Sequence, residues 1–167
     1  MRNYIIIAAR GILVAAIIFW TMTIFGFSAE EGEVSQSTSD LITGKVIEIY
    51  VKEYEEMPTY RQEELWNQIS FVVRKIGHFG EYEILAGLIF LLFMTFEKVR
   101  KNYKWLIADA LFCLIYAVSD EIHQGFVAGR SARIRDVFID TSGAITAIII
   151  SLCVWHFVLV KLFKAAE

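Results

Sequence analysis

The sequence predicts an all-α protein in which four transmembrane helices form a single bundle. Of the 167 residues, 56% are hydrophobic and the mean hydropathy is +0.51, whereas soluble domains average roughly 45–50% apolar residues. Four apolar segments are long enough to cross a bilayer, for which a helix needs about 20 residues. The whole chain, 1–167, is therefore expected to form one membrane domain. Its predicted spans are residues 4–27, 76–96, 105–122 and 137–160.

The first span contains one charged residue, Arg10, near its beginning. A cleaved signal peptide is the alternative interpretation, but the apolar part of a signal peptide has only about 7–15 residues. We therefore expect an uncleaved helix, in which the Arg10 side chain extends along the helix to the nearby lipid head groups.

A polar segment separates the first and second spans. Residues 28–40 predict a solvated loop, and 40–75 carry apolar residues at helical spacing on both sides of Pro58. Ser39 or Asp40 could cap the first of these two helices, and Pro58 would end it or open the second. We expect residues 40–75 to form an interfacial helical segment that lies on the membrane or over the bundle. A small soluble helical hairpin is the alternative.

The charge distribution predicts how the chain is oriented. Residues 28–75 hold ten acids and five bases, whereas the linker 97–104 holds four bases and one acid, and 161–167 add two bases. Because bases favour the cytoplasmic side, both termini are expected in the cytoplasm of a multi-pass plasma-membrane protein. Residues 28–75 and 120–136 would then lie outside, although three arginines in the second loop oppose this orientation.

Three polar segments lie where a simple apolar bundle needs none. In the first, at the start of the second span, Lys75, His78, Glu81 and Tyr82 fall on one helix face at about 100° per residue. By the predicted topology, all three segments meet at the outer membrane face. Ionisable groups at membrane depth are costly and indicate a functional site.

The other two segments flank the third loop. If residues 119–126 are helical, Asp120, His123 and Gln124 share a face and Glu121 is turned away. After Arg130, the next span begins with Asp136, Asp140 and Gly143 at helical spacing, and the glycine allows another helix to approach closely. These positions complete the predicted ligand-binding set, which is Lys75, His78, Glu81, Tyr82, Ser119, Asp120, Glu121, His123, Gln124, Arg130, Asp136 and Asp140.

Several kinds of site remain open for this cluster. It can be a structural network of Arg–carboxylate pairs or an acid–base site. A metal site is less favoured, because the sequence contains no HExxH motif. We predict neither a metal nor another cofactor. The candidates for acid–base catalysis are His78, Glu81, Asp120, His123 and Asp140, with Ser119 as a weak nucleophile candidate.

Other polar residues are interpreted as structural. Asp109 is expected at the interface, paired with the basic linker, and His156 is expected to be a packed polar residue. Glu83 and Arg135 are expected to face solvent or head groups. Cys113 and Cys153 lie in apolar segments and are expected to be buried hydrophobic residues. No disulfide is predicted between them.

Two groups of residues resemble the VanZ-like family of bacterial integral membrane proteins. Lys75, His78, Phe79, Glu81 and Tyr82 match the pattern Lys-x-x-His-Phe-x-Glu-Tyr. The second pattern is matched by Ser119, Asp120, Glu121, His123, Gln124, Arg130, Asp136, Asp140 and Gly143. The resemblance covers roughly residues 20–150, with Ala128 where the family commonly has Pro. It implies a role in the cell envelope, and the founding member is associated with low-level resistance to teicoplanin.

Three functional hypotheses follow. In the first, a polar pocket at the outer face binds a membrane lipid, a lipid-linked envelope component or a lipoglycopeptide, with Arg130 and Lys75 holding an anionic head group. In the second, the protein is an intramembrane enzyme that acts on a lipid head group, with His78 or His123 as general base and Arg130 stabilising charge. In the third, it is a structural or assembly partner. With a net charge of −3, the chain is not expected to bind nucleic acid.

Overall fold

The computed structural model describes residues 2–100, 102 and 104–159, and this part of the chain contains helices and no strand. A 3-10 turn, Tyr54–Glu56, follows the second helix, and a π-helical turn, Trp155–Leu159, follows the last. The predicted all-α membrane bundle is confirmed. The helices are α1 (Arg2–Ala29), α2 (Gly32–Tyr50), α3 (Thr59–Met94), α4 (Glu97–Arg100), α5 (Lys104–Gln124) and α6 (Ile134–Val154).

Three helical segments are long and apolar enough to cross a membrane: Tyr4–Ala29, Thr59–Met94 and Ile134–Phe157. The helix α5, which was predicted as the third span, is not one of these three segments. It is more polar than they are, because it carries Asp109 and two further acids near its end. It packs against α1, α3 and α6. Its crossing of the membrane therefore stays a prediction, which this packing supports. The end of the predicted fourth span and the tail lysines lie outside the described residues.

The predicted boundary at residue 76, between the interfacial segment and the second span, does not coincide with a break between helices. Residues 59–94 form one helix of 36 residues, which is about 54 Å long at 1.5 Å per residue, whereas the hydrocarbon core is about 30 Å thick. The ion pair between Lys75 and Asp136 places Lys75 beside the first turn of α6. The part of α3 before Lys75 therefore extends beyond the beginning of α6. The helix α2 packs against α3.

The predicted loop at 28–40 is also wrong for most of its length, because α2 begins at Gly32. The hydroxyl groups of Ser37 and Ser39 bond to carbonyl oxygens within the helix, at 2.7 and 3.1 Å, so these residues satisfy their own polar atoms there. Ser39 and Asp40 lie inside α2 and cannot cap its beginning. Pro58 directly precedes α3, so the prediction that it opens the second helix is confirmed.

Arg10 contacts the end of another helix, which the sequence did not predict. Its guanidinium donates to the hydroxyl group of Thr95 at 3.0 Å and to the Thr95 carbonyl at 2.8 Å, and it stacks on the ring of Phe96 at 3.8 Å. The carbonyl groups at the end of a helix have no partner within the helix, and that of Thr95 is satisfied here by Arg10. Arg10 thus binds α1 to the C-terminal end of α3.

Asp109 is not interfacial. Its side chain is fully buried, and its Oδ1 lies 3.8 Å from the Cys113 sulfur. Cys113 is buried as predicted, whereas Cys153 is exposed, which corrects the prediction for that residue. His156 is also exposed and contacts the ring of Phe157 edge-on.

Small residues in the core allow α3, α5 and α6 to approach closely. The tightest approach is between Gly143 of α6 and Phe79 of α3, where an added Cβ would collide with the Phe79 carbonyl oxygen. This contact fixes the spacing of the two helices beside the polar residues. The buried core consists of Ile24, Tyr82, Leu85, Ala86, Ile89, Cys113, Ala117, Ala144, Ala147 and Ile148.

Candidate functional site

The three polar segments meet at one end of the bundle, as the sequence predicted. Lys75 of α3 forms an ion pair with Asp136 of α6, with 2.6 Å between Nζ and Oδ1. One turn further along both helices, Nδ1 of His78 lies 3.3 Å from Oδ1 of Asp140. Both carboxylates are buried. These two contacts, one turn apart on both helices, therefore join α3 to α6.

Asp140 is the more deeply buried of the two carboxylates, with none of its surface exposed. Neither of its oxygens has a hydrogen-bond partner within the described residues, and His78 is the basic group closest to it. Because a buried carboxylate without donors is costly, the His78 imidazole is the main group that can compensate it. This pair can hold and exchange a proton.

The end of α5 contributes Asp120, Glu121 and Gln124, which are all buried. Gln124 donates to Oδ2 of Asp120 at 3.1 Å, while Oδ1 of Asp120 has no hydrogen-bond partner in the part of the chain that the structure describes. Glu121 accepts a hydrogen bond from the backbone N–H of Arg133, the residue that caps α6. Glu121 is thus turned from the face of Asp120, as predicted, but it is buried at the beginning of α6.

Five predicted site residues line neither of the two cavities at this end, which are described below: Tyr82, Ser119, Glu121, His123 and Asp140. Glu121 and Asp140 are nevertheless buried beside the cluster, as described above. Ser119 is exposed and does not join the cluster. His123 stacks on Phe25 with 4.5 Å between ring centroids, which places it on the α1–α5 contact rather than beside His78. Tyr82 is fully buried, and its ring centroid lies 6.1 Å from that of Tyr116. Its hydroxyl group has no hydrogen-bond partner among residues 2–100, 102 and 104–159.

Two adjoining cavities open among the remaining residues. The first, which we call the acidic cavity, has a volume of about 230 Å³ and is lined by the carboxylates Glu30, Glu81 and Asp120. The second, the cationic cavity, has a volume of about 120 Å³. Its charged lining is Arg74, Lys75, Arg130, Arg133 and Asp136. The residues that line both cavities are Ser35, Arg74, His78, Gln124 and Arg130.

Arg130 lies between the two cavities, in the loop that joins α5 to α6. Its guanidinium donates to the carbonyl oxygen of Phe27 at the end of α1, at 2.8 Å. Burial lowers the pKa of Arg130 from its ordinary value, and the nearby carboxylate of Glu30 opposes this effect. The guanidinium nevertheless stays charged at every physiological pH. A fixed positive charge is therefore present at the border of the two cavities.

The beginning of α2 forms one wall of the cationic cavity, which the sequence reasoning missed. Gly32 donates its N–H to the carbonyl of Ala128 at 3.0 Å, and a Cβ on Gly32 would collide with the Gly129 carbonyl. Gly129 itself has a φ of +73°, a conformation that favours glycine. These glycines hold the α5–α6 loop against α2 and bring Ser35 to the site. Glu30, Ser35, Arg74 and Arg133 are among the lining residues that were not predicted.

A third cavity, of about 320 Å³, lies at the opposite end of the bundle and is lined mostly by apolar residues such as Phe93, Trp105 and Leu152. It lacks the converging charges of the polar end. Among the described residues, no group of three or more His, Cys, Asp or Glu side chains has the arrangement of a metal site.

The fold and the cluster define a helical membrane protein in which buried charges from several helices meet at one end of the bundle. A family model described as VanZ/LLP1 matches residues 13–158. The chain therefore belongs to the VanZ/LLP1 family and is a VanZ-like protein of the cell envelope, as the resemblance implied. No curated protein and no solved structure matches the chain.

Proposed function

We propose that the polar end of the bundle binds the head group of an amphiphile from the outer leaflet, either a membrane lipid or a lipid-linked envelope component. The observation that carries this proposal is the position of Arg130, whose charge borders both cavities. A guanidinium forms strong, directional hydrogen bonds with phosphate or carboxylate.

Apolar surface beside the cavities supports the same proposal. Ile24, Phe27 and Ile42 line the acidic cavity together with its charged groups. Phe27 and Ile42 are 47% and 48% exposed, so an acyl chain that approaches from the lipid can lie against them while the head group enters the cavity. Sites of this kind combine an apolar wall with a few converging polar groups.

The binding proposal predicts that Arg130→Ala loses the bound amphiphile. Wild-type protein purified in mild detergent is expected to retain a lipid that native mass spectrometry detects, and recovery of that lipid should fall by about tenfold or more in the variant, as expected when a charged hydrogen-bond partner is removed. Arg135→Ala is the matched control, because Arg135 is exposed, stacks on Phe71 and lines neither cavity. Equal retention by the Arg130 variant and wild type, with unchanged unfolding temperatures, would contradict the proposal.

A lipid-tailed glycopeptide antibiotic of the teicoplanin type is a second ligand with suitable chemistry, since it joins an acyl tail to a polar head. If the protein binds it, expression in a susceptible host is expected to raise the inhibitory concentration of teicoplanin, and Arg130→Ala is expected to lose that protection. Unchanged susceptibility on expression of the wild type would remove the antibiotic as a ligand.

The second candidate function is an enzyme that modifies the bound head group. It is favoured by the 3.3 Å contact between His78 and Asp140, because a carboxylate can orient an imidazole and raise its basicity. Incubation with labelled lipid extract would then yield a new species that disappears in His78→Ala and persists in His123→Ala. Absence of any new species with the wild type would exclude this candidate.

A further inference from the structure

We propose that the head group bound at the polar end carries both a phosphate group and a primary ammonium group, the phosphate in the cationic cavity and the ammonium in the acidic cavity. The inference rests on the proposed function and specifies the chemical class of its ligand. It follows from the different charges of two cavities that share a border. Three carboxylates and the two shared arginines line the acidic cavity, whereas four cationic side chains and one carboxylate line the cationic cavity.

The cationic cavity suits a phosphate group. Asp136, its only charged acid, is already paired with Lys75 at 2.6 Å, so the positive charges of three arginines remain in excess. Arg74 is held by Gln36 at 2.8 Å and Arg133 by Ser131 at 3.2 Å. Each of these bonds uses one nitrogen, whereas a guanidinium has five N–H donors. The arginines are therefore positioned and still have donors for phosphate oxygens.

The acidic cavity suits a group that donates hydrogen bonds and carries positive charge. Asp120 lines this cavity with only 5% of its surface exposed, and its Oδ1 has no hydrogen-bond partner among the described residues. Leaving a buried carboxylate oxygen without a donor costs free energy. Glu81 and Glu30 line the same cavity. A primary ammonium has three donors and would supply the missing partner.

The shared border sets the distance between the two groups of the ligand. Arg130 and His78 line both cavities, so a phosphate and an ammonium separated by a short linker can occupy them together. A lipid with a phosphate alone would leave Asp120 without its donor. A quaternary ammonium has the charge but no N–H group, so it would leave the same oxygen unpaired.

Lipids with matched acyl chains test this selectivity on the protein in detergent. We expect native mass spectrometry to show phosphatidylethanolamine binding about tenfold more tightly than phosphatidic acid, which lacks the ammonium, and than phosphatidylcholine, which lacks the N–H donors. Equal binding of phosphatidic acid or phosphatidylcholine would overturn the inference and leave the proposed function intact. Binding of none of the three would overturn both.

Two variants locate the selectivity. Asp120→Asn is expected to bring the ratio of phosphatidylethanolamine to phosphatidic acid binding down to about one, since it removes the charge that an ammonium recognises. Glu83→Gln, a matched change outside both cavities, should keep the wild-type ratio. A wild-type ratio in Asp120→Asn would overturn the assignment.

Soluble phosphoethanolamine distinguishes the source of the head group. If it binds without an acyl tail, the ligand is a free metabolite. If it fails to bind while phosphatidylethanolamine binds, the ligand is a lipid.

Discussion

Gly143→Ala is expected to be strongly destabilising although it adds a single methyl group. An added Cβ at this position collides with the backbone carbonyl of Phe79, and a backbone atom cannot move aside as a flexible side chain can. Overpacking of this kind costs about 1–3 kcal/mol, and we expect the upper end of that range. The unfolding temperature of the detergent-purified protein should fall, and lipid retention should fall with it because α3 and α6 are pushed apart beside His78 and Asp140.

Gly80→Ala is the matched control for this prediction. Gly80 lies in the same stretch of α3, and nothing lies within 4 Å of the position that its Cβ would take. Alanine is favoured over glycine in a helix by about 1 kcal/mol, so this variant should be at least as stable as the wild type. If the two alanine variants unfold at the same temperature, α3 and α6 do not have the close contact described above.

His78→Leu is expected to destabilise the protein and to abolish head-group binding. The substitution leaves Asp140, which has no exposed surface, without the basic group that lies 3.3 Å away. Breaking a buried charged pair by removing one partner costs about 3–5 kcal/mol. Unfolding in detergent, measured by circular dichroism, would give the change in stability, and native mass spectrometry would give the change in lipid retention.

The double variant His78→Leu/Asp140→Leu separates a structural role of this pair from a functional one. Apolar replacement of both partners of a buried pair is often neutral or stabilising, so the double variant should recover most of the lost stability. It should not recover lipid binding or any catalytic turnover. Recovery of both stability and binding would show that the pair serves only to hold α3 against α6.

The sequence allowed the membrane class and the position of most site residues to be predicted, because both depend on simple periodicities. Apolar length predicted four spans, and three helices of the structure are long and apolar enough to cross a membrane. Helical spacing placed Lys75 and His78 on one face and Asp136 and Asp140 on another. Those two faces meet as expected. The family patterns pointed to the same positions.

The errors arose where tertiary contacts override local pattern. Residues 32–40 are rich in polar residues that favour loops in isolation, but packing against α3 and hydrogen bonds within the helix keep them helical. His123 has the spacing of the site, yet its ring stacks on Phe25 from another helix. Asp109 was expected at the interface, paired with the basic linker, and only the bundle shows that it is buried. A helical period cannot reveal which neighbouring helix a side chain contacts.

The beginning of α2 was missed for a related reason. Its role depends on the close approach of Gly32 and Gly129, which are 97 positions apart in the sequence. A single glycine in a polar segment predicts a turn and not a contact with a distant loop. As a consequence, the cavity residues Glu30 and Ser35 could be recognised only from the fold.

Labelling from the two sides of the membrane tests most directly whether the polar segments share one face. In a Cys153→Ser background, where the remaining Cys113 is buried, three exposed positions receive single cysteines: Glu33→Cys in α2, Ser131→Cys before α6 and Asn102→Cys in the linker at the other end of the bundle. An impermeant maleimide is expected to label the first two in intact cells and the third only after lysis. If positions 33 and 131 were labelled from opposite sides of the membrane, the two cavities could not exist.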